Sequence, residues 1–144
     1  MLTGCAERGT ELGLVNGRLP SAVLCRLPGE DNERLRADAA VSFVRLAGAY
    51  QQAFGRPVCV TDGYRALGEQ QALRRTKRRL AAIAGTSQHG WGVAVDLSCG
   101  VQSFRSPQHA WMVANAGRYG WYLPAWAERG GSLPEPWHWE YDGA

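Results

Sequence analysis

Across residues 33–54 the apolar side chains Leu35, Ala39, Ala40, Phe43, Val44, Ala47 and Tyr50 recur at steps of three and four, with Gly55 and Pro57 just behind. That period collects them on one helical face before a glycine stop, so the spacing predicts a helix over 33–54. Residues 58–62 (Val-Cys-Val-Thr-Asp) are β-branched and close at Gly63, which reads as a buried strand whose end is left by Arg65. Residues 66–80 are good helix formers. Over 92–98 the pattern alternates, with Val93, Val95 and Leu97 on one face and Gly92, Ala94 and Asp96 on the other, as in a half-buried strand. Ser106-Pro107 places a capping residue before a first-turn proline and opens a helix to about residue 116, ended by Gly117 or Gly120. Residues 137–141 alternate again, sending Trp137, Trp139 and Tyr141 to one side and His138 with Glu140 to the other. Residues 1–33 are rich in Gly, Pro and polar positions and read as an arm of little regular structure.

This order of elements predicts a small α+β fold, with a mainly antiparallel central sheet and helices on one side. A length of 144 residues fits a single domain, with 1–33 as arm and 34–144 as core. No apolar run is long enough for a membrane span. The formal charge of +3 is too small to argue for nucleic acid, and the cluster Arg74, Arg75, Lys77, Arg78 and Arg79 reads as a solvated helix face. The expected setting is therefore a monomer with no nucleic-acid partner and no transmembrane segment.

Cys5, Cys25, Cys59 and Cys99 contain no CxxC pair and read as two disulfides formed in an oxidising compartment. The first residues lack the basic start and apolar stretch of a signal peptide, so an exported protein would have been trimmed to its mature domain. Leu2-Thr3-Gly4-Cys5 fits a lipoprotein cleavage box, but without an upstream apolar region Cys5 reads as half of a disulfide.

Chemistry concentrates around two of the three histidines. His89 precedes Gly90-Trp91-Gly92, a tight turn after which Asp96 lies on the polar side of the next strand, so the two can converge. His138 is driven to the face opposite its aromatic neighbours. Two imidazoles and one carboxylate suit zinc, one ion per chain, and leave a fourth position open. Glu135, in the loop before the last strand, and Glu140, on the same face as His138, are both placed to serve as general base, and spacing alone does not choose. His109 lies in a helix first turn and reads as structural. Of the three possible disulfide pairings, Cys59 with Cys99 and Cys5 with Cys25 is preferred, because Cys59 and Cys99 flank the two segments that share this site.

Ser87-Gln88-His89-Gly90-Trp91-Gly92-Val93-Ala94-Val95-Asp96 resembles the SxHxxGxAxD signature of LAS-type zinc metallopeptidases, and Glu135-Pro136-Trp137-His138 resembles their ExxH element. Gly63-Tyr64-Arg65 with Gln70 resembles the substrate-binding segment of VanY-type D-Ala-D-Ala carboxypeptidases, so the similarity runs over about 58–141. The resemblance implies a LAS/hedgehog-like fold with zinc at the strand ends. It makes His89, Asp96 and His138 the metal ligands and Glu135 the base, and it gives Arg65 the substrate carbonyl and Ser87 and Gln70 the peptide end. The implied activity is removal of the terminal D-Ala from peptidoglycan stem peptides, outside the cell or in its wall. Two alternatives remain at this point: an endopeptidase cutting L-Ala-D-Glu or a cross-link, and a zinc-stabilised binding module without catalysis. The second does not explain Glu135, since a purely structural site needs no base.

Overall fold

A computed structural model describes residues 13–29, 32–76 and 85–143. Two strands with opposite demands on their two faces build its centre. β4 (Ala94–Ser98) and β6 (His138–Tyr141) pair antiparallel, with Ala94 opposite Glu140, Val95 opposite Trp139 and Asp96 opposite His138. Alternation then sends Val95, Leu97 and Trp139 to one side and Asp96, His138 and Glu140 to the other. β3 (Cys59–Asp62) flanks β4 and β5 (Trp121–Tyr122) flanks β6, giving a four-stranded antiparallel sheet in the order β3-β4-β6-β5. This is the mixed α+β architecture that the sequence predicts.

The apolar face of the sheet is covered by helices. α1 (Ala37–Phe54) contributes Ala40, Phe43, Leu46 and Tyr50, and α3 (Pro107–Asn115) contributes Met112, to one core with Val95, Leu97, Trp121 and Trp139. Phe43 meets Trp121 edge to face at 5.4 Å, and Trp111 meets Tyr50 at 5.5 Å. Gly55 ends α1 in the left-handed conformation (φ 69°), its N–H bonded to Gln51 O. Ser106 caps α3 by accepting from the His109 N–H, with Pro107 in the first turn. His109 is buried, with Nδ1 3.0 Å from Val101 O and its ring between Phe104 and Trp139, a structural position.

Two expectations need correction. The helix predicted from residue 33 starts at Ala37, because Arg34–Arg36 form a strand, β2. β2 pairs with β1 (Leu24–Arg26), so the predicted irregular arm contributes a strand that pairs antiparallel with the first residues of the core. Leu19, Val23, Leu24 and Leu27 of that arm are buried, which makes it part of the packed body. Short apolar runs interrupted by Pro and Gly give too few repeats for a period to register, and long-range pairing decides their conformation. Finally, α2 is described over Leu67–Thr76; Lys77, Arg78 and Arg79 of the basic cluster lie outside the described residues.

Cys59 and Cys99 form a disulfide with Cα atoms 5.6 Å apart, tying β3 to the turn after β4. The other expected pair includes Cys5, which lies outside the described residues, as does the candidate cleavage box at 2–5. No helix among the described residues is long and apolar enough to cross a membrane.

Candidate metal centre

On the sheet face opposite the helices, Asp96 and His138 stand side by side because the β4–β6 register opposes them directly. His89 comes from outside the sheet, on the helical turn Gln88–Trp91 that the Ser87 hydroxyl caps by accepting from the His89 N–H at 3.1 Å. Gly92 ends that turn at φ 69°, and a Cβ there would lie 2.7 Å from Arg36 N. Glycine is therefore required both for the reversal into β4 and for the close passage of β2.

Asp96 Oδ1 lies 3.1 Å from His89 Nε2 and 3.1 Å from His138 Nδ1, and one potential ligand atom from each residue falls within 4.8 Å of the others. A tetrahedral shell with bonds of about 2.0–2.2 Å separates its ligand atoms by roughly 3.4 Å, so this cluster has the dimensions of a small divalent cation's shell. The far nitrogen of each ring is also held. His89 Nδ1–H donates to Gly63 O at 2.8 Å, and His138 Nε2–H donates to Glu140 Oε2 at 2.7 Å. Those bonds fix the ring orientations and turn His89 Nε2 and His138 Nδ1 toward Asp96, where each nitrogen can donate to the carboxylate or, with that proton released, offer a lone pair to a cation, the outer-shell arrangement common to metal-binding histidines.

Electrostatics follow from this packing. Burial alone would raise the Asp96 carboxyl, but hydrogen bonds from His138 and His89 and the charge of both rings outweigh it and hold the group far below the usual range. Burial would lower His138, yet its bonds to Asp96 and Glu140 push it up to about 9. Glu135 is raised, chiefly by burial; His138, His89 and Arg65 oppose the shift and Asp96 adds to it. These couplings put the Glu135 carboxylate in the electrostatic field of the same cluster. Its backbone is anchored by Glu135 N–H to Ala127 O at 2.9 Å, and Glu135 O accepts from His138 N–H at 3.1 Å.

The two candidate bases are thereby distinguished by their partners. Both Glu140 oxygens are engaged, Oε2 with His138 and Oε1 with the Tyr122 hydroxyl at 3.1 Å, so this carboxylate orients a ring. Glu135 has no side-chain hydrogen bond among the described residues. Arg65 donates through Nε to Asp62 Oδ2 at 3.0 Å and through Nη2 to the same oxygen, with Nη2 3.9 Å from Asp96 Oδ2. The β3–β4 register shifts between Val60 and Asp62, at the strand end that carries this anchor. Ser87 is buried at the turn.

Gln70 is positioned differently from an open peptide-grasping residue. It is 2% exposed, Nε2 donates to Asn16 Oδ1 and to Arg65 O at 3.1 Å each, and Oε1 accepts from Gly85 N–H at 2.9 Å. A peptide end would reach it only by displacing one of those partners. Reasoning from sequence missed Asn16, Asp62, the Gly63 carbonyl and Trp126, whose partly exposed ring lies 5.0 Å from that of His138. Asp62, three residues before Arg65 at a strand end, offered a local signal; Asn16 and Trp126 offered none.

Comparison with known proteins places this geometry. Residues 32–144 match the VanY family, described as D-alanyl-D-alanine carboxypeptidase. A D-alanyl-D-alanine carboxypeptidase of Enterococcus faecalis is 34% identical over 85 residues, which cover 56% of this chain and 32% of that protein. The chain thus spans about a third of the length of that curated relative. Among solved structures, VanYB in complex with D-alanine-D-alanine superposes with a TM-score of 0.66 at 28% identity, over 83% of this chain and 77% of the other. A mutant of the vancomycin resistance D,D-pentapeptidase VanY from the VanB-type cassette, in complex with Zn(II), gives 0.66 at 26% identity, over 90% and 87%.

Proposed function

Because the chain belongs to the VanY family of D-alanyl-D-alanine carboxypeptidases, we propose that it is a zinc peptidase that removes the terminal D-Ala from peptidoglycan stem peptides. The observation that carries the reading is the junction of His89, Asp96 and His138, each ring locked from behind, with a buried carboxylate, Glu135, in the same field. His89 Nε2, His138 Nδ1 and a carboxylate oxygen of Asp96 would hold one zinc ion. Bound there, zinc supplies a Lewis acid that polarises the scissile carbonyl and acidifies a water molecule.

The chain's own residues supply the rest. Glu135 takes a proton from the attacking water and delivers it to the amine of the departing D-Ala as the C–N bond breaks; burial raises its carboxyl and makes it a better proton acceptor. Arg65, kept in place by Asp62, provides positive charge where the carbonyl oxygen becomes an oxyanion. Ser87 accepts a backbone bond through its oxygen, which leaves the hydroxyl hydrogen for the peptide carboxylate. Gln70 serves the peptide end from below, through the Arg65 backbone. The Cys59–Cys99 disulfide supports a location outside the cytoplasm, at the cell wall. Residues 1–144 are read as one peptidase domain.

Mass spectrometry of defined pentapeptide stems and cell-wall fragments, with zinc-loaded and chelated protein, tests the proposal. Zinc-dependent loss of one terminal alanine is expected. Cleavage at an internal bond would replace it with an endopeptidase, and unchanged substrates in zinc-replete protein would sink the hydrolase reading in favour of a binding module.

A further inference from the structure

Residues 13–29 precede the stretch matched to the family, yet they reach the floor of the site. Asn16 is 5% exposed, and both ends of its side-chain amide are used. Nδ2 donates to Ser87 O at 2.6 Å, and Oδ1 accepts from Gln70 Nε2 at 3.1 Å. The neighbouring backbone continues the bridge: Gly17 N–H donates to Gly90 O at 2.8 Å, and Gly17 O accepts from Leu67 N–H at 2.9 Å. On the far side of Gln70 lies Arg65 O, and the Arg65 N–H in turn donates to His89 O at 2.9 Å. A closed circuit therefore runs from Asn16 through the Ser87–His89 turn to Arg65 and back through Gln70. Gly90 passes so close that a Cβ there would land on the amides of Asn16 and Gln70.

We propose that Asn16 is a positioning residue that sets the Ser87–His89 turn against Arg65, so that residues 16–19 belong to the substrate-binding scaffold. The inference rests on the peptidase reading for its functional consequence and on the hydrogen-bond circuit for its structural one. Asn16 touches neither the ligand atoms nor Glu135, so its effect runs through Ser87 and Arg65 to substrate fit. Leu19 N–H, bonded to the Tyr64 hydroxyl at 3.1 Å, anchors the other end of the segment beside Arg65.

Asn16→Asp keeps size and shape but replaces the donor facing Ser87 O with a carboxylate oxygen, and Asn16→Ala removes both bonds. Both variants and the exposed control Val15→Ser are compared with the parent, zinc-loaded and well below their melting temperatures. Two readouts are taken: amide hydrogen exchange at Gly17 and Arg65, and the separate KM and kcat for a peptide ending in D-Ala-D-Ala. The proposal expects exchange at Gly17 and Arg65 to accelerate roughly tenfold or more while α1 amides keep their protection, and KM to rise roughly tenfold with a smaller change in kcat. Val15→Ser should match the parent. Unchanged exchange at Gly17 and Arg65, or protection lost uniformly over the chain, would overturn it, as would an unchanged KM. If the parent itself leaves the peptide intact, the peptidase reading fails, while the exchange data still decide whether Asn16 positions the turn.

Discussion

The centre has a strand side and a loop side, built by different means. On the strand side Asp96, His138 and Glu140 are delivered by β4 and β6, where backbone pairing fixes which side chains meet. On the loop side Arg65, Ser87 and His89 sit on turns held by hydrogen bonds between residues far apart in the chain, such as His89 to Gly63, 26 positions away, and Asn16 to Ser87, 71 positions away. Ladder bonds repeat at regular intervals along a strand, whereas the loop bonds form one irregular circuit that depends on a few side chains. The strand side should thus govern how the Asp96–His138–Glu140 carboxylates and ring share protons and hold metal, while the loop side, which adds His89 as a third ligand, should govern substrate fit and local stability.

The largest effect should come from the carboxylates around His138. Glu135→Ala is expected to retain zinc and lose turnover by a factor on the order of 10²–10⁴, the range for a lost general base. Glu140→Ala leaves Glu135 in place but deprives His138 Nε2 of its acceptor, so zinc affinity should fall roughly 10–100-fold in a chelator competition. Saturating zinc should then restore much of the activity of Glu140→Ala and none in Glu135→Ala. A dead, zinc-replete Glu140→Ala beside an active Glu135→Ala would exchange the two roles.

The same contrast explains what the sequence made readable. His138 and Glu140 share a face because they are two apart on a strand, and alternation over 137–141 declares it. Asp96 follows from the alternation around Val95, and the ladder that joins it to His138 needs only correct pairing. Spacing left Glu135 and Glu140 open and only the family resemblance pointed to Glu135; the different side-chain partners of the two carboxylates are not encoded in spacing. Gln70 was assigned to the peptide end by the family resemblance, but its burial depends on Asn16 and Gly85, which approach from other segments. β1 and β2 escaped notice for a like reason: three-residue strands have no period, and their pairing is made by the fold.

A smaller effect, confined to the loop side, is expected from Gly90→Ala. Its Cβ would displace the Asn16–Gln70 pair, at a cost of about 1–3 kcal/mol typical of overpacking a closed site. Asn16→Ala vacates part of that space, so the double variant should be less destabilised than the sum of the singles; urea denaturation of all four proteins measures the coupling. Strict additivity would mean that Gly90 and Asn16 do not share one packed unit, and the loop side would lose its defining contact.

The smallest effect is a pH dependence that belongs to the strand side alone. In the metal-free protein His138 is raised from 6.5 to about 9, because its bonds to Asp96 and Glu140 overcome burial. A histidine raised on folding contributes stability that is complete below its unfolded value of 6.5 and is lost as pH climbs through 9. Asp96 is lowered, so its contribution is present above 3.8 and is lost only in strong acid. Chelated protein should therefore lose melting temperature between about pH 6.5 and pH 9, by roughly 2–8 °C. Zinc takes the same lone pairs and releases that proton, so loaded protein should lack the alkaline decline. Removing the Glu140 charge with Glu140→Gln should shrink the decline in chelated protein, whereas Asn16→Ala, across the site, should lower the whole curve without changing its slope. A chelated parent whose melting temperature rises over that interval would show that His138 is not the proton's seat. An Asn16→Ala slope that follows Glu140→Gln would show that the two sides of the site are not separable.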